Sequence, residues 1–407
     1  MKILHTSDWH IGKRLHQIDL AEDHRRFFDW LMQTIKTEKV NALIVSGDIF
    51  DLANPSSEAR RMYYEVLVDL SKLGVTVIIT GGNHDSPSVL NAPKHILQAL
   101  NIHVIGGLPD EPKEMLIPLT NKNGQQQAVI AAIPFLRDTD LRRAAEGTNY
   151  EDRIEAIRQG ITNVFSRVAE HCKKEYPEIP AIAMGHLFAH GATTSYSERE
   201  IQIGNLAEFD PVNFTDYFNF IALGHIHRPQ PITNAEHAHY SGSPIPLSFS
   251  EKADPKRVII YDFSTEKPSY KSINIPEQRK LTKIQGTYEE IYHQLQNNHF
   301  HDNPLPTLIE IEMIEQSDDP QKVAALEELI ATWNDPKASI VKHRIHFLDT
   351  PKGTGELYDT SKHIEELDPV DVFDKKMERS GIAEEQQQIL KEAFHEILEH
   401  IYQSDEL

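Results

Sequence analysis

The chain has 407 residues, with 41 Lys+Arg against 62 Asp+Glu and a formal net charge of −21 at pH 7. That length supports a large core and more than one domain. The acidic balance excludes a protein that grips nucleic acid unaided through a basic coat. The single cysteine, Cys172, excludes an internal disulfide and fits a reducing cytoplasm, and no stretch of ~18 apolar residues offers a membrane span.

The first apolar run, Leu4-His5-Thr6-Ser7, ends in Asp8-Trp9-His10. Because it starts at Lys2, no cleavable targeting peptide is expected. A loop from Ile11 to Leu20 carries Lys13 and Arg14. Phe27, Phe28, Trp30, Leu31 and Ile35 then recur at helical spacing, which reads as core. Leu43-Ile44-Val45-Ser46 ends in Gly47-Asp48-Ile49-Phe50-Asp51. Pro55 opens a helix with Met62, Val66, Leu67 and Leu70 on one face. Val77-Ile78-Ile79-Thr80 ends in Gly81-Gly82-Asn83-His84-Asp85, and a helix is expected from Ser88 to Leu100. Asn123-Gly124 signals a hairpin between short strands. A helix over 150–175 holds Cys172 as a packing residue and stops before Pro177. Ile182-Ala183-Met184 ends in Gly185-His186, and Phe220-Ile221-Ala222-Leu223 ends in Gly224-His225-Ile226-His227. A strand through His239 and Tyr240 runs into the turn Gly242-Ser243-Pro244, and a hairpin over 258–263 and 270–275 follows. The mixture predicts an α/β sandwich with helices outside.

Pro276 and Glu277 mark a linker. Beyond it the spacing predicts strand 281–285, helix 287–298, strand 306–314, helix 320–333 and strand 339–347. This unit carries no ligand pattern, and substrate placement is its expected role, a plain packing domain the alternative. Lys352-Gly353-Thr354-Gly355 reads as a flexible break. A short helix after Asp368-Pro369 carries Val372, Phe373 and Met377. Past Gly381, a last helix carries Ile389, Leu390, Phe394, Ile397, Leu398 and Ile401. Two such helices on a tether are too small to bury both apolar faces and suit docking to a partner. His299, His301, His395 and His400 read as solvated.

Five apolar runs thus end in a small residue followed by a metal-ligand side chain. Singly, each acid reads as a turn cap and each histidine as a satisfied polar group. Jointly, strand ends in an open sheet converge on one edge, where ligands bind. The set is Asp8, His10, Asp48, Asn83, His186, His225 and His227. Oxygen and imidazole donors without thiolate suit manganese or magnesium better than a closed zinc site. A carboxylate shared by two ions can hold them ~3.5–4 Å apart. His84 follows a candidate ligand without belonging to the set. It is the expected general acid or transition-state phosphate contact, with Asp51 or Asp85 to orient it.

The stretches Asp8–Gly12, Gly47–Asp51, Gly82–Ser86, Ala222–His227 and Gly242–Phe249, in this order, resemble the calcineurin-like metallophosphoesterase superfamily and, within it, the SbcD family of nuclease subunits. The motifs cover about the first 250 residues. The resemblance implies a two-sheet sandwich flanked by helices (1–275), a small α/β capping domain (276–350) and a linker with a C-terminal helix pair (351–407). It implies a phosphodiesterase with two Mn2+, Mg2+ being possible. Asp8, His10 and His227 would hold one ion, Asn83, His186 and His225 the other, and Asp48 would bridge. It also implies an SbcC ATPase partner docked by the helix pair, a homodimer within a heterotetramer, and ATP-dependent cutting of DNA ends, hairpins and protein-blocked ends. Roles in DNA repair, recombination and replication, in the nucleoid-associated cytoplasm, would follow. The helices after Pro55 and Asp85, through Val66 and Leu67, are the expected dimer contact. A small-molecule or protein phosphatase on the same fold, or a non-catalytic scaffold subunit, are the alternatives.

Overall fold

The computed structural model describes residues 1–141, 150–193, 198, 201, 208–297, 300, 303–349 and, beyond these, Val370, Phe373, Met377, Gln387, Leu390, Lys391, Ala393 and Phe394. The chain divides into two compact units, Met1–Glu277 and Gln278–Leu407. Among the described residues no helix is long and apolar enough to cross a membrane.

Two six-stranded sheets build the first unit. In one, Lys2–Thr6, Ala42–Ser46, Thr76–Thr80 and Ile102–Ile105 lie parallel. The hairpin Arg257–Asp262/Ser269–Asn274 extends it antiparallel beside Lys2–Thr6. In the other, Gln126–Ala132, Ala181–His186, Phe220–Gly224 and Ala235–Tyr240 lie parallel, with antiparallel edges Leu116–Thr120 and Gln230–Ile232. The central strands read as unbroken apolar runs because both faces are covered. Ala42, Ile44, Ile78, Ile130, Ile182, Met184, Ala222 and Ile259 fill the space between the sheets. The outer face of the second sheet packs on Ile161, Phe165, Val168 and Cys172 of the helix Tyr150–Glu175. The helix Ala21–Glu38 buries Phe27, Phe28, Leu31 and Ile35 of the stripe expected as core, while Trp30, also expected there, is only partly buried.

Three local details differ from the expectation. The helix after Pro55 starts at Ser57, where the Ser56 hydroxyl caps Ala59 N at 3.2 Å. On it Val66 and Leu67 are buried within this chain, so they cannot be dimer contacts; Tyr64 and Val68 face outward. The helix expected over 88–100 is two short ones, Pro87–Asn91 and Lys94–Gln98, because Pro93 lacks the amide that continuation needs. The expected loop from Ile11 to Leu20 contains a two-residue hairpin, Arg14–Leu15 with Ile18–Asp19.

The second unit has the predicted strand–helix alternation. Strands Leu281–Gly286, Thr307–Glu315 and Ala338–Phe347 form one parallel sheet. Helices Tyr288–Asn297 and Pro320–Thr332 connect them, and Ile291, Leu295 and Leu326 close over Ile284, Ile309, Ile311 and Met313. Farther on, Phe373 and Phe394 are helical and their rings stack with centroids 4.1 Å apart. Gly353, Gly355, Ile389, Ile397, Leu398 and Ile401 lie outside the described residues, as do His299, His301, His395 and His400.

Candidate metal centre

The five motif-bearing strands, three in one sheet and two in the other, bring their C-terminal ends together. The sheets approach so closely there that side chains are excluded from two positions. A Cβ on Gly224 would lie 1.8 Å from Ser46 O, and one on Gly47, at φ +80°, 2.2 Å from His186 Nδ1. The residues that follow pay in backbone strain. Asp8 (φ 53°), His10 (46°), Asp48 (50°) and His225 (98°) all lie in the left-handed region. Each such non-glycine costs roughly 1–3 kcal/mol and persists only where its surroundings enforce it.

All seven expected ligands meet at this edge. Ligand atoms of Asp8, His10 and His227 lie within 4.8 Å of one another; so do those of Asp8, Asp48 and His186, and those of His10, Asp48 and His84. Asn83 joins through Oδ1, which lies 2.9 Å from His186 Nε2 and 3.2 Å from His225 Nδ1. Every one of the six acidic and imidazole members is buried.

The hydrogen bonds fix which ring nitrogen faces inward. His186 Nδ1 donates to Ser46 O (2.9 Å), His10 Nδ1 to Asp51 Oδ1 (3.2 Å) and His84 Nδ1 to Asp51 O (2.7 Å). A carbonyl or carboxylate only accepts, so each neutral ring presents a lone pair at Nε2. Asp48 Oδ1 takes the His84 amide, which leaves Oδ2 3.4 Å from both His10 Nε2 and His186 Nε2 and 4.0 Å from His84 Nε2. His10 Nε2 and His225 Nε2 are buried with no hydrogen-bond partner among the described residues. Acceptors converging on acceptors is unfavourable unless a cation lies among them, and the donor set fits hard divalent ions.

Electrostatics point the same way. Burial pushes the Asp8 carboxyl up. Burial also works against Asp48, but His186 and His84 outweigh it and hold the carboxyl well below the usual carboxylate range. Burial opposes charge on His186 too, yet Asp48 and Asp8 raise it to about 9, whereas burial and the neighbouring His186 depress His225. In the metal-free protein these carboxylates are therefore balanced by protons, which ions must displace.

Asp51 contacts His84 through its carbonyl, while its carboxylate meets His10 and Lys13 Nζ (3.1 Å). Asp85 has another task. Its carboxylate accepts from the amides of Ile49, Phe50 and Gly82 and pins the Asp48 loop to the Asn83 loop. Burial, then the charge of Asp48, pushes Asp85 up to about 6. Sequence reasoning missed Glu251, wholly buried behind His227, with Lys256 beside it. It also missed Glu198, which accepts from His227 N at 2.9 Å, and Ser7, whose hydroxyl donates to Asp8 Oδ2 and touches Ser241. The Gly242–Phe249 stretch was the available signal for Glu251, which lies two residues past its end.

The profile of calcineurin-like phosphoesterases matches residues 1–229. The SbcD subunit of the Escherichia coli (strain K12) SbcCD nuclease is 34% identical over 400 residues, 97% of each chain. The SbcD subunits of Rhodobacter capsulatus and Bacillus subtilis are 38% and 31% identical, over 65% and 70% of this chain and 67% and 72% of their own. A solved dimetal phosphatase from Danio rerio aligns with a TM-score of 0.40 at 12% identity, covering 68% of this chain and 97% of its own. With a family profile over more than half its length and a relative matched end to end, the chain belongs to the calcineurin-like phosphoesterases, in the branch of the SbcD nuclease subunits.

Proposed function

We propose that this chain is the metal-dependent nuclease subunit that hydrolyses DNA phosphodiester bonds at double-strand ends, hairpins and protein-blocked ends, and in single strands, working with an SbcC-type ATPase. The observation that carries the reading is Asp48 Oδ2, buried and facing His10 Nε2 and His186 Nε2 at 3.4 Å. On this reading Asp8, His10 and His227 would hold one divalent ion and Asn83, His186 and His225 a second, with Asp48 shared between them and Mn2+ as the expected metal. Two such ions would supply positive charge to the attacking and leaving oxygens of an in-line displacement. Ser7, Ser46 and Asp51 hold Asp8, His186 and His10 in place. His84, its Nδ1 held by Asp51 O, keeps Nε2 toward the centre, 4.0 Å from Asp48 Oδ2. From there it can carry a proton to the leaving oxygen or donate to the transferring phosphoryl group.

The same reading assigns the second unit to DNA placement and the C-terminal helix pair to the ATPase, which also supplies the basic surface that an acidic chain lacks. It makes the chain a homodimer within a heterotetramer, and with Val66 and Leu67 in the core, the outward Tyr64, Val68, Ile96 and Leu100 become the contact. Ile96→Glu should halve the mass seen by light scattering. The test of function is cleavage of an end-labelled hairpin DNA against a small phosphomonoester, with Mn2+, with and without an SbcC-type partner and ATP. Preferential hairpin cleavage supports the nuclease; phosphomonoester turnover alone makes the chain a phosphatase.

A further inference from the structure

Behind His227 lies a buried ion pair, Glu251 with Lys256. His227 Nδ1 is 3.3 Å from Glu251 Oε1. The other oxygen, Oε2, accepts from Lys256 Nζ at 2.5 Å, Ser243 Oγ at 3.1 Å and Leu247 N at 3.2 Å. Lys256 Nζ also reaches His227 O (3.2 Å) and Ser243 Oγ (2.8 Å), and Ser243 N donates to the same His227 carbonyl (3.1 Å). Glu251 is fully buried and Lys256 nearly so.

Burying a carboxylate with an ammonium is costly, and as a pure stabiliser an apolar pair serves as well. A pair kept for charge balance alone would need only Lys256. Here the carboxylate divides its work: Oε2 collects three protein donors, and Oε1 is left to His227. A related arrangement lies across the centre, where one oxygen, Asp51 Oδ1, meets both His10 Nδ1 and the partly exposed Lys13. Thus both imidazoles of the Asp8–His10–His227 group are backed by a carboxylate and a lysine. A carboxylate behind one ring nitrogen puts the hydrogen there, points the other nitrogen's lone pair forward and makes it a better donor.

We infer that Glu251 is a positioning residue that acts through His227, fixing its ring and tautomer for the ion shared with Asp8 and His10, while Lys256 and Ser243 hold the carboxylate in place. This rests on the reading of His227 as a metal ligand. It also gives a role to the Gly242–Phe249 stretch, whose Ser243 and Leu247 bind the carboxylate.

The test uses double variants that remove the buried charges together, so that no ion is stranded. Glu251→Leu/Lys256→Met deletes the acceptor; Glu251→Gln/Lys256→Met keeps a carbonyl oxygen there. Mn2+ binding to the full chain is read by titration calorimetry and electron paramagnetic resonance, with circular dichroism as the folding check. The Leu/Met variant should bind one of its two ions ~10–100-fold more weakly, the usual scale for losing such a support. The Gln/Met variant should recover most of that loss. Unchanged affinities in the Leu/Met variant, or an equal loss in the Gln/Met variant, overturn the inference. His227→Ala separates the two levels: if it leaves both ions bound as tightly, His227 is no ligand and both readings fall. If it loses an ion while Leu/Met does not, only the role of Glu251 falls.

Discussion

His186 and His5 are both completely buried on parallel strands of the first unit, yet their surroundings treat them oppositely. His186 lies at a strand end among Asp8 and Asp48, and despite burial their charges raise it to about 9. His5 lies within its strand, between the sheets, where it shares the space with His239, Arg257 and Tyr261. Burial, then His239 and Arg257, lower it to about 3, and burial and Arg257 bring His239 down to about 4. All four ring nitrogens of His5 and His239 lack a hydrogen-bond partner among the described residues, as do Tyr261 OH and Arg257 Nε. Burial alone therefore says little about what a histidine does. The sign of the neighbouring charge decides whether the ring attracts cations or stays neutral.

The largest effect should come from removing the charge on which the first cluster converges. Asp48→Asn keeps the shape but halves the acceptor capacity that faces His10, His84 and His186. Stoichiometric Mn2+ binding and phosphodiester cleavage should both fall to background. Binding of two ions with unchanged affinity would show that the convergence on Asp48 has no function. His84→Gln should be milder in kind: a loss of ~10²–10⁴ in turnover, the range for a positioned proton donor, with both ions still bound. Metal analysis of the purified variant decides it, because a lost ion would make His84 a ligand.

These expectations show which parts of the molecule can be read without coordinates. That the seven strand-end residues and His84 would meet at one edge was legible because a buried parallel strand leaves an apolar run, a glycine marks close approach, and a polar side chain able to bind metal follows directly. The Val66/Leu67 contact was misread because an apolar helix face announces burial but not what buries it; here the helix's own domain does. Glu251 escaped because it is 24 residues from His227 and sits in a short turn with no periodicity. The surroundings of His5 were equally hidden: an apolar run shows that the strand is buried, but not that His239 and Arg257 approach His5 from two other strands.

Metal binding supplies the next contrast in size. Ions that bind only the folded centre should stabilise the first unit by about 2.7 kcal/mol per site at a hundredfold excess over Kd. Thermal melts with and without Mn2+ should show this for the parent chain and not for Asp48→Asn. Substitution of His5 or His239 should leave the increment intact, since neither faces the centre.

The smallest effect concerns the second cluster and its response to acid. A histidine whose folded value lies below its unfolded 6.5 binds more protons when unfolded, so stability falls as pH drops below 6.5 and continues to fall until the folded value is reached. For His5 and His239 that window runs from 6.5 to about 3 and about 4. At pH 5 both rings are still neutral in the fold and protonated in the unfolded chain, and each contributes a loss of about 2 kcal/mol relative to neutral pH. The groups facing His239 are His5, Arg257, His237, Tyr261 and Tyr270, none of them a carboxylate that would favour a charged ring. Its ring lies against Tyr270 at 4.1 Å and near Phe220 at 6.4 Å, so His239→Phe suits the space while removing the titrating group. Urea unfolding with EDTA present, followed through Trp9 and Trp30 of the first unit, should show the variant losing about 2 kcal/mol less than the parent chain between pH 7 and pH 5. Equal losses would mean that His239 finds a proton-accepting partner in the fold, and the contrast between the two clusters would collapse.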